Sequence, residues 1–324
     1  MGLTGGLRLR FANVVTLRRA IAAEVAAIAV VMSFVLPGGQ DLHVYYLPMA
    51  SGCLTCGFAP YHTAIILWPI TLIPARLLWP AWTLTSCLLL WWAAERLGGN
   101  PAALFLSFPF LGQIWLGQID ALVVAGLTLA MTGRNPYLRG LGLTLASIKP
   151  HLAGIAILIL LYRERQRLKV LAMPLSTLAL SMILFGPAWP LDWLLACREP
   201  AAHIWRLSSL YPLGLLALAG LVWLKSDRDR IWCAGLSSAI GIPDVGCYSY
   251  VVFLSFPAPW WVVPLSYSWI LYYPFIGLDS LRFAWMLPVV LLMDRLTLPV
   301  RTRIMRHKRC TGRNHLGAAA GGRR

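Results

Sequence analysis

The chain of 324 residues is 59% hydrophobic and only 12% charged, where a soluble domain carries about a quarter charged residues. That balance excludes an ordinary globular enzyme and leaves a membrane protein. The net charge of +16 is spread over short flanks beside apolar segments, which argues for contacts with lipid headgroups and against a nucleic-acid partner.

Arg8, Arg10, Arg18 and Arg19 lie before the first apolar segment, Ala20 to Leu36. The segment resembles a secretory signal in its basic flank but lacks an Ala-x-Ala-like cleavage site, and Glu24 interrupts it. It is expected to be retained as the first crossing, with Glu24 facing the bundle. Residues 1–19 then form a cytoplasmic basic N-terminus, and the stretch Pro37 to Tyr46 reaches the outer face. Further crossings are expected at Ala64 to Ile73 and Leu77 to Ala94, joined around Pro74-Ala75-Arg76. Pro101 to Met131 is apolar but carries breaks at Gly112-Gln113 and Gly117-Gln118. Leu138 to Leu161 and Val170 to Phe185 follow.

A more polar loop, 186–209, holds Asp192, Arg198, Glu199, His203 and Arg206. Apolar stretches resume at 211–224, 231–247, 248–264, 265–276 and 283–298. Segments this long and uniformly apolar suit helices, which satisfy their own backbone hydrogen bonds in lipid, rather than alternating barrel strands. The expectation is an all-α, polytopic transmembrane bundle of nine to eleven crossings, with one integral domain over 20–298. Residues 299–324 form a second basic cytoplasmic tail, from Arg301 to Arg324.

Lys149 interrupts an otherwise greasy segment. A basic residue at the centre of a spanning helix costs about 2.5–3.5 kcal/mol on insertion scales, so it is placed there for a partner. Basic residues flank the segment on both sides, Arg134 and Arg139 before it and Arg163, Arg165, Arg167 and Lys169 after it. If both flanks are cytoplasmic, the segment is two short re-entrant helices meeting at Lys149-Pro150, where proline interrupts the helix. Broken backbone at that depth lines an enclosed or watery cavity, and a phosphate or diphosphate is the natural counter-ion for Lys149. The competing reading is a structural lysine paired with a buried carboxylate such as Asp120, or one reaching up to the interface.

Asp41 follows the first apolar segment by a few residues. A carboxylate at the mouth of a bundle can take a proton from the hydroxyl of a lipid-bound substrate, helped by partial desolvation. Fixed cations, Lys149 with Arg198 or Arg206, would balance a departing phosphate without a metal. A divalent cation held between Asp41 and that phosphate is the alternative. His43 either assists Asp41 or is an interfacial structural histidine. Gln118 either binds a sugar hydroxyl or makes an interhelical hydrogen bond.

Taken in order, Asp41, Tyr45-Tyr46, Gly117-Gln118-Ile119-Asp120, Gly140-Leu141-Gly142 and Ile148-Lys149-Pro150 resemble glycosyltransferase family 87, the polyprenol-phosphate-mannose-dependent mannosyltransferase-like group of the GT-C superfamily. The similarity runs from Pro37 to Arg167. It implies a GT-C-like multi-helix enzyme of the plasma membrane, moving a hexose, mannose by analogy, from a polyprenyl-phosphate donor to a lipid or glycan acceptor on the non-cytoplasmic face. It further places the family's catalytic base on Asp41, the lysine of its re-entrant segment on Lys149 and its Gly-Gln element on Gly117-Gln118. From the residues themselves, Arg198 and Arg206 are expected beside Lys149 on the donor phosphate, and His43, Tyr45, Gln118 and Asp120 in substrate binding. No cofactor is implied.

Departures are visible. Pro60-Tyr61-His62 stands where relatives often carry Tyr-x-Pro-Pro, and Asp120 takes the last place of Gly-Gln-x-Asn. The late polar loop is best matched by Ile242-Pro243-Asp244 with Tyr248 and Tyr250. A flippase-like lipid or glycan transporter is the rival class, since broken helices and basic pockets also serve transport. A degenerate member acting as a scaffold is a third. Among seven cysteines, Cys53 and Cys56 have the spacing of a redox or zinc pair, and an outer location would permit a disulfide.

Overall fold

A computed structural model describes residues 3–196, 210–242 and 245–297. The described residues are helical without a single strand, and several of their helices are apolar enough for a membrane protein.

Helix α1, Leu3–Val35, ends where Pro37 blocks its continuation and Gly39 turns the chain with φ +70°. Helix α2, Ala75–Leu97, runs back beside it and stops at Gly98, a left-handed residue typical of helix C-termini. The two are tied at one end by Arg19 and Glu95, 2.7 Å apart. At the other end, Trp79 packs against Gly38 and Gly39.

Two broken hairpins follow. Helix α3, Phe108–Leu116, is capped by Ser107 and ends at Gly117, and helix α4, Asp120–Thr132, leaves the break at 117°. Helix α5, Pro136–Ala146, starts from the Asn135 cap and a proline with no orphan N–H to satisfy. Helix α6, Pro150–Arg163, begins after Lys149, whose φ −129° and ψ 78° lie outside the α region that a following proline disfavours.

The second hairpin closes on itself. Arg139 near its start donates to Glu164 just past its end, at 2.8 and 3.2 Å. Both flanks therefore lie on one side, and the segment goes in and comes back. Eleven helical residues rise about 16 Å, roughly half the hydrocarbon thickness. Arg163 also pairs with Asp227, and Arg295 with Asp229 at 3.1 Å. The ion pairs thus mark the end of the molecule away from Asp41.

Close helix contact rests on glycine. A Cβ on Gly126 of α4 would stand 2.7 Å from the carbonyl of Gly142 on α5, so the pair lets two backbones touch, as small residues do in membrane bundles. Helix α7, Arg167–Phe185, packs on α5 and is otherwise mostly exposed, as expected of a lipid-facing element. Helix α8, Asp227–Gly241, is buried at every position from Ile231 onward and forms the centre of the later half.

Several sequence expectations need correction. Among the described residues, three helices are long and apolar enough to cross a membrane, α2, α7 and a composite over 268–297, or four if the bent α3–α4 pair is one span. Nine to eleven crossings were expected, but prolines, glycines and 3-10 turns cut the apolar stretches into short pieces such as Leu213–Val222, Cys247–Tyr250 and Val262–Ser266. Gly112-Gln113 is not a break. It lies inside α3, where Gly112 makes room for Tyr248. Glu24 is exposed rather than turned into the bundle. It stands only five residues beyond Arg19, close to where a charged head can reach the headgroup layer.

Candidate active site

The three breaks in the helices meet at one place. The turn after α1 brings Asp41, the α3–α4 break brings Gln118 and Asp120, and the α5–α6 tip brings Lys149. Gly117 makes the meeting possible. Its φ of +71° suits glycine, and a Cβ there would lie 2.7 Å from Leu42 Cβ and 3.0 Å from Gly39 Cα. The N–H of Gly39 donates to the carbonyl of Trp115 at 2.8 Å, and Trp79 Nε1 donates to Ile114 O at 2.9 Å.

At this junction Gln118 Nε2 donates to Asp41 Oδ2. Gln118 Oε1 accepts from Lys149 Nζ and from Tyr46 Oη, each at 2.8 Å. Lys149 Nζ also meets both oxygens of Asp120, at 2.9 and 3.0 Å. Ser249 Oγ donates to Asp120 Oδ1 at 3.3 Å, and the Tyr248 ring lies 5.2 Å from the ammonium. Gln118 is 3% exposed, Lys149 7% and Asp120 0%, whereas Asp41 is half-buried. A polar chain therefore runs from an accessible carboxylate inward to a closed ion pair, and every charge in it is hydrogen-bonded, as burial demands.

The structure brings Asp41, Gln118, Asp120 and Lys149 together. The ion pair anticipated by the competing structural reading of Lys149 is present, and it is made by Asp120. His43 and Tyr45 lie beside Asp41 on the same turn, with Tyr45 against Phe58 at 5.8 Å between ring centroids. Arg198, Arg206 and His203 fall outside the described residues, as do Pro243, Asp244 and the tail from residue 298. Among the described residues no three His, Cys, Asp or Glu side chains converge. Cys53 and Cys56 form a disulfide, Cα atoms 5.4 Å apart, in the loop after the Asp41 turn.

Sequence reasoning missed Tyr46 and Ser249. An ordinary helix would set Tyr45 on the face of Asp41. Leu42–Tyr46 is instead a π turn closed by Leu47 N–H on Leu42 O, and its five-residue step brings Tyr46 round to Gln118. Ser249 sits 129 residues from Asp120 and had no local signal. A second cluster flanks the hairpin tip, where His62 Nε2 lies 3.0 Å from Ser147 Oγ and the Tyr61 and Trp189 rings stack at 5.4 Å.

The profile of glycosyltransferase family 87 matches residues 60–236, which include Gln118, Asp120 and Lys149 but not Asp41. No curated protein and no solved structure matches the chain significantly. A match over more than half of the sequence, on a helical membrane scaffold, indicates an enzyme of sugar transfer rather than a transporter: the chain belongs to glycosyltransferase family 87.

Proposed function

We propose that this glycosyltransferase moves a hexose, mannose by analogy with the group it resembles, from a polyprenyl-phosphate donor to a hydroxyl of a lipid or glycan at the non-cytoplasmic face of the plasma membrane. The observation that carries the reading is the continuous link from Asp41 through Gln118 to Lys149, which sets a carboxylate and an ammonium on either side of one amide.

Asp41 takes the proton of the acceptor hydroxyl as its oxygen attacks the anomeric carbon. The bond from that carbon to the phosphate oxygen breaks, and the polyprenyl phosphate leaves with the electron pair. Lys149 balances the developing negative charge in a site of low dielectric, where a fixed cation acts strongly. Arg198 and Arg206 are proposed as further phosphate ligands, and His43 and Tyr45 as contacts to sugar or acceptor. Asp120 holds the ammonium in place until the phosphate arrives. A single displacement assisted by one base inverts the anomeric centre.

The test is incubation of purified protein with radiolabelled polyprenyl-phosphate-mannose and membrane lipids. Label should pass to the acceptor with inverted configuration, and free polyprenyl phosphate should appear in equal amount. Loss of general-base assistance typically costs about 10²- to 10⁴-fold, so Asp41→Asn should abolish measurable transfer while inserting and folding normally. Full activity in that variant would remove Asp41 from the mechanism. Movement of intact donor across the bilayer without cleavage would restore the transporter reading.

A further inference from the structure

We infer that Gln118 is a positioning residue that couples Lys149 to Asp41, so that capture of an anion at Lys149 resets the hydrogen bond Asp41 receives. The inference rests on the transfer reading above and adds an order of events to it.

The orientation of the amide is dictated by its neighbours. Lys149 can only donate, and an ionised carboxylate can only accept, so Oε1 must face Lys149 and Nε2 must face Asp41. Tyr46 donates to the same Oε1 and reinforces that choice. The backbone is pinned as well. Gln118 O accepts from Trp82 Nε1 at 3.0 Å, and Gln118 N–H donates to Gln113 O at 3.0 Å. The side chain therefore has no second arrangement that satisfies both partners.

Charge on Lys149 is passed along this chain. An ammonium on Oε1 polarises the amide and makes Nε2–H a stronger donor to Asp41, as in cooperative hydrogen-bond chains. The other ionisable groups facing the network are Asp120, bonded to Lys149 and Ser249, the phenols of Tyr45, Tyr46 and Tyr248, and the His151 imidazole on the far side of Pro150, which feels the Lys149 charge. When a phosphate draws the ammonium away, Oε1 keeps only Tyr46, the hold on Asp41 weakens, and the carboxylate turns to the acceptor hydroxyl. The base is thereby released when a donor is bound, which limits wasteful transfer to water.

The test uses the full chain in lipid nanodiscs and infrared difference spectra, with the Asp41 carboxylate band identified by its loss in Asp41→Asn. Decyl phosphate serves as the anion. In the wild type the band should shift on adding it. In Gln118→Met the band should start near the shifted position and stay there, the ratio of donor hydrolysis to transfer should rise roughly tenfold, and the donor KM should change by less than about threefold. Tyr46→Phe should give a smaller shift in the same direction and carries the test if Gln118→Met does not fold. A band unmoved by decyl phosphate in the wild type, or still responsive in Gln118→Met, would overturn the coupling. Coupling without sugar transfer in the wild type would instead overturn the proposed function alone.

Discussion

Gly117 shows how much one residue decides here. It closes α3, turns the chain toward α4 and lets Leu42 and Gly39 approach within 3.0 Å of where a Cβ would be. A left-handed L-residue costs about 1–2 kcal/mol before any clash is counted. Gly117→Ala should therefore displace the Asp41 turn and reduce transfer at least about tenfold, more than it lowers thermal stability. Parallel assays of transfer and melting temperature would check this, and equal losses in both would make the residue merely structural. Reading Gly117-Gln118 as a break came from sequence, but the same Gly-Gln pattern at Gly112-Gln113 stayed helical, so only the structure told which of the two ends the helix. The partner of Gln118 was not legible either, since Asp41 lies 77 residues away.

The α5–α6 hairpin is held at its base by the Arg139–Glu164 pair. The amide N–H of Gln166 donates to Glu164 Oε1 at 2.9 Å and, with the Arg139 guanidinium beside it, holds this carboxyl below the usual glutamate range. A depressed value means the ionised form is favoured by folding. Its contribution is complete above the ordinary glutamate pKa of about 4.3 and is lost as pH falls through the lower folded value. Glu164→Gln should thus cost about 1 kcal/mol at pH 7, and its melting curve should merge with that of wild type once pH has fallen below the folded value. A gap that does not narrow as pH is lowered would show that the residue acts through packing. The hairpin itself was readable from matched basic flanks around Lys149-Pro150. The Gly126–Gly142 contact that seats it on α4 was not, because glycine spacing names no partner.

For the molecule as a whole, the ion pairs Arg19–Glu95, Arg139–Glu164 and Arg163–Asp227 gather at the end away from Asp41. If that end is cytoplasmic, a cysteine at exposed Gln40, in a background of serine-substituted cysteines, should react with an impermeant maleimide on intact cells. One at exposed Arg165 should react only after permeabilisation. Labelling of both from one side would break the topology on which the donor and acceptor sides are assigned.

Composition and hydropathy determined the class by themselves, because a chain so poor in charge can bury its surface only in lipid. Sequence also marked the residues that cannot be there for packing: Asp41 in a turn, Lys149 in an apolar hairpin, Gln118 and Asp120 beside a glycine. Only the tertiary structure decided what those residues do to one another. Lys149 meets Asp120, Gln118 faces two donors and one carboxylate, and a π turn exchanges Tyr45 for Tyr46. Those outcomes depend on helix breaks far apart along the chain arriving at one depth. Local periodicity records where a helix stops, but not which other end it will find.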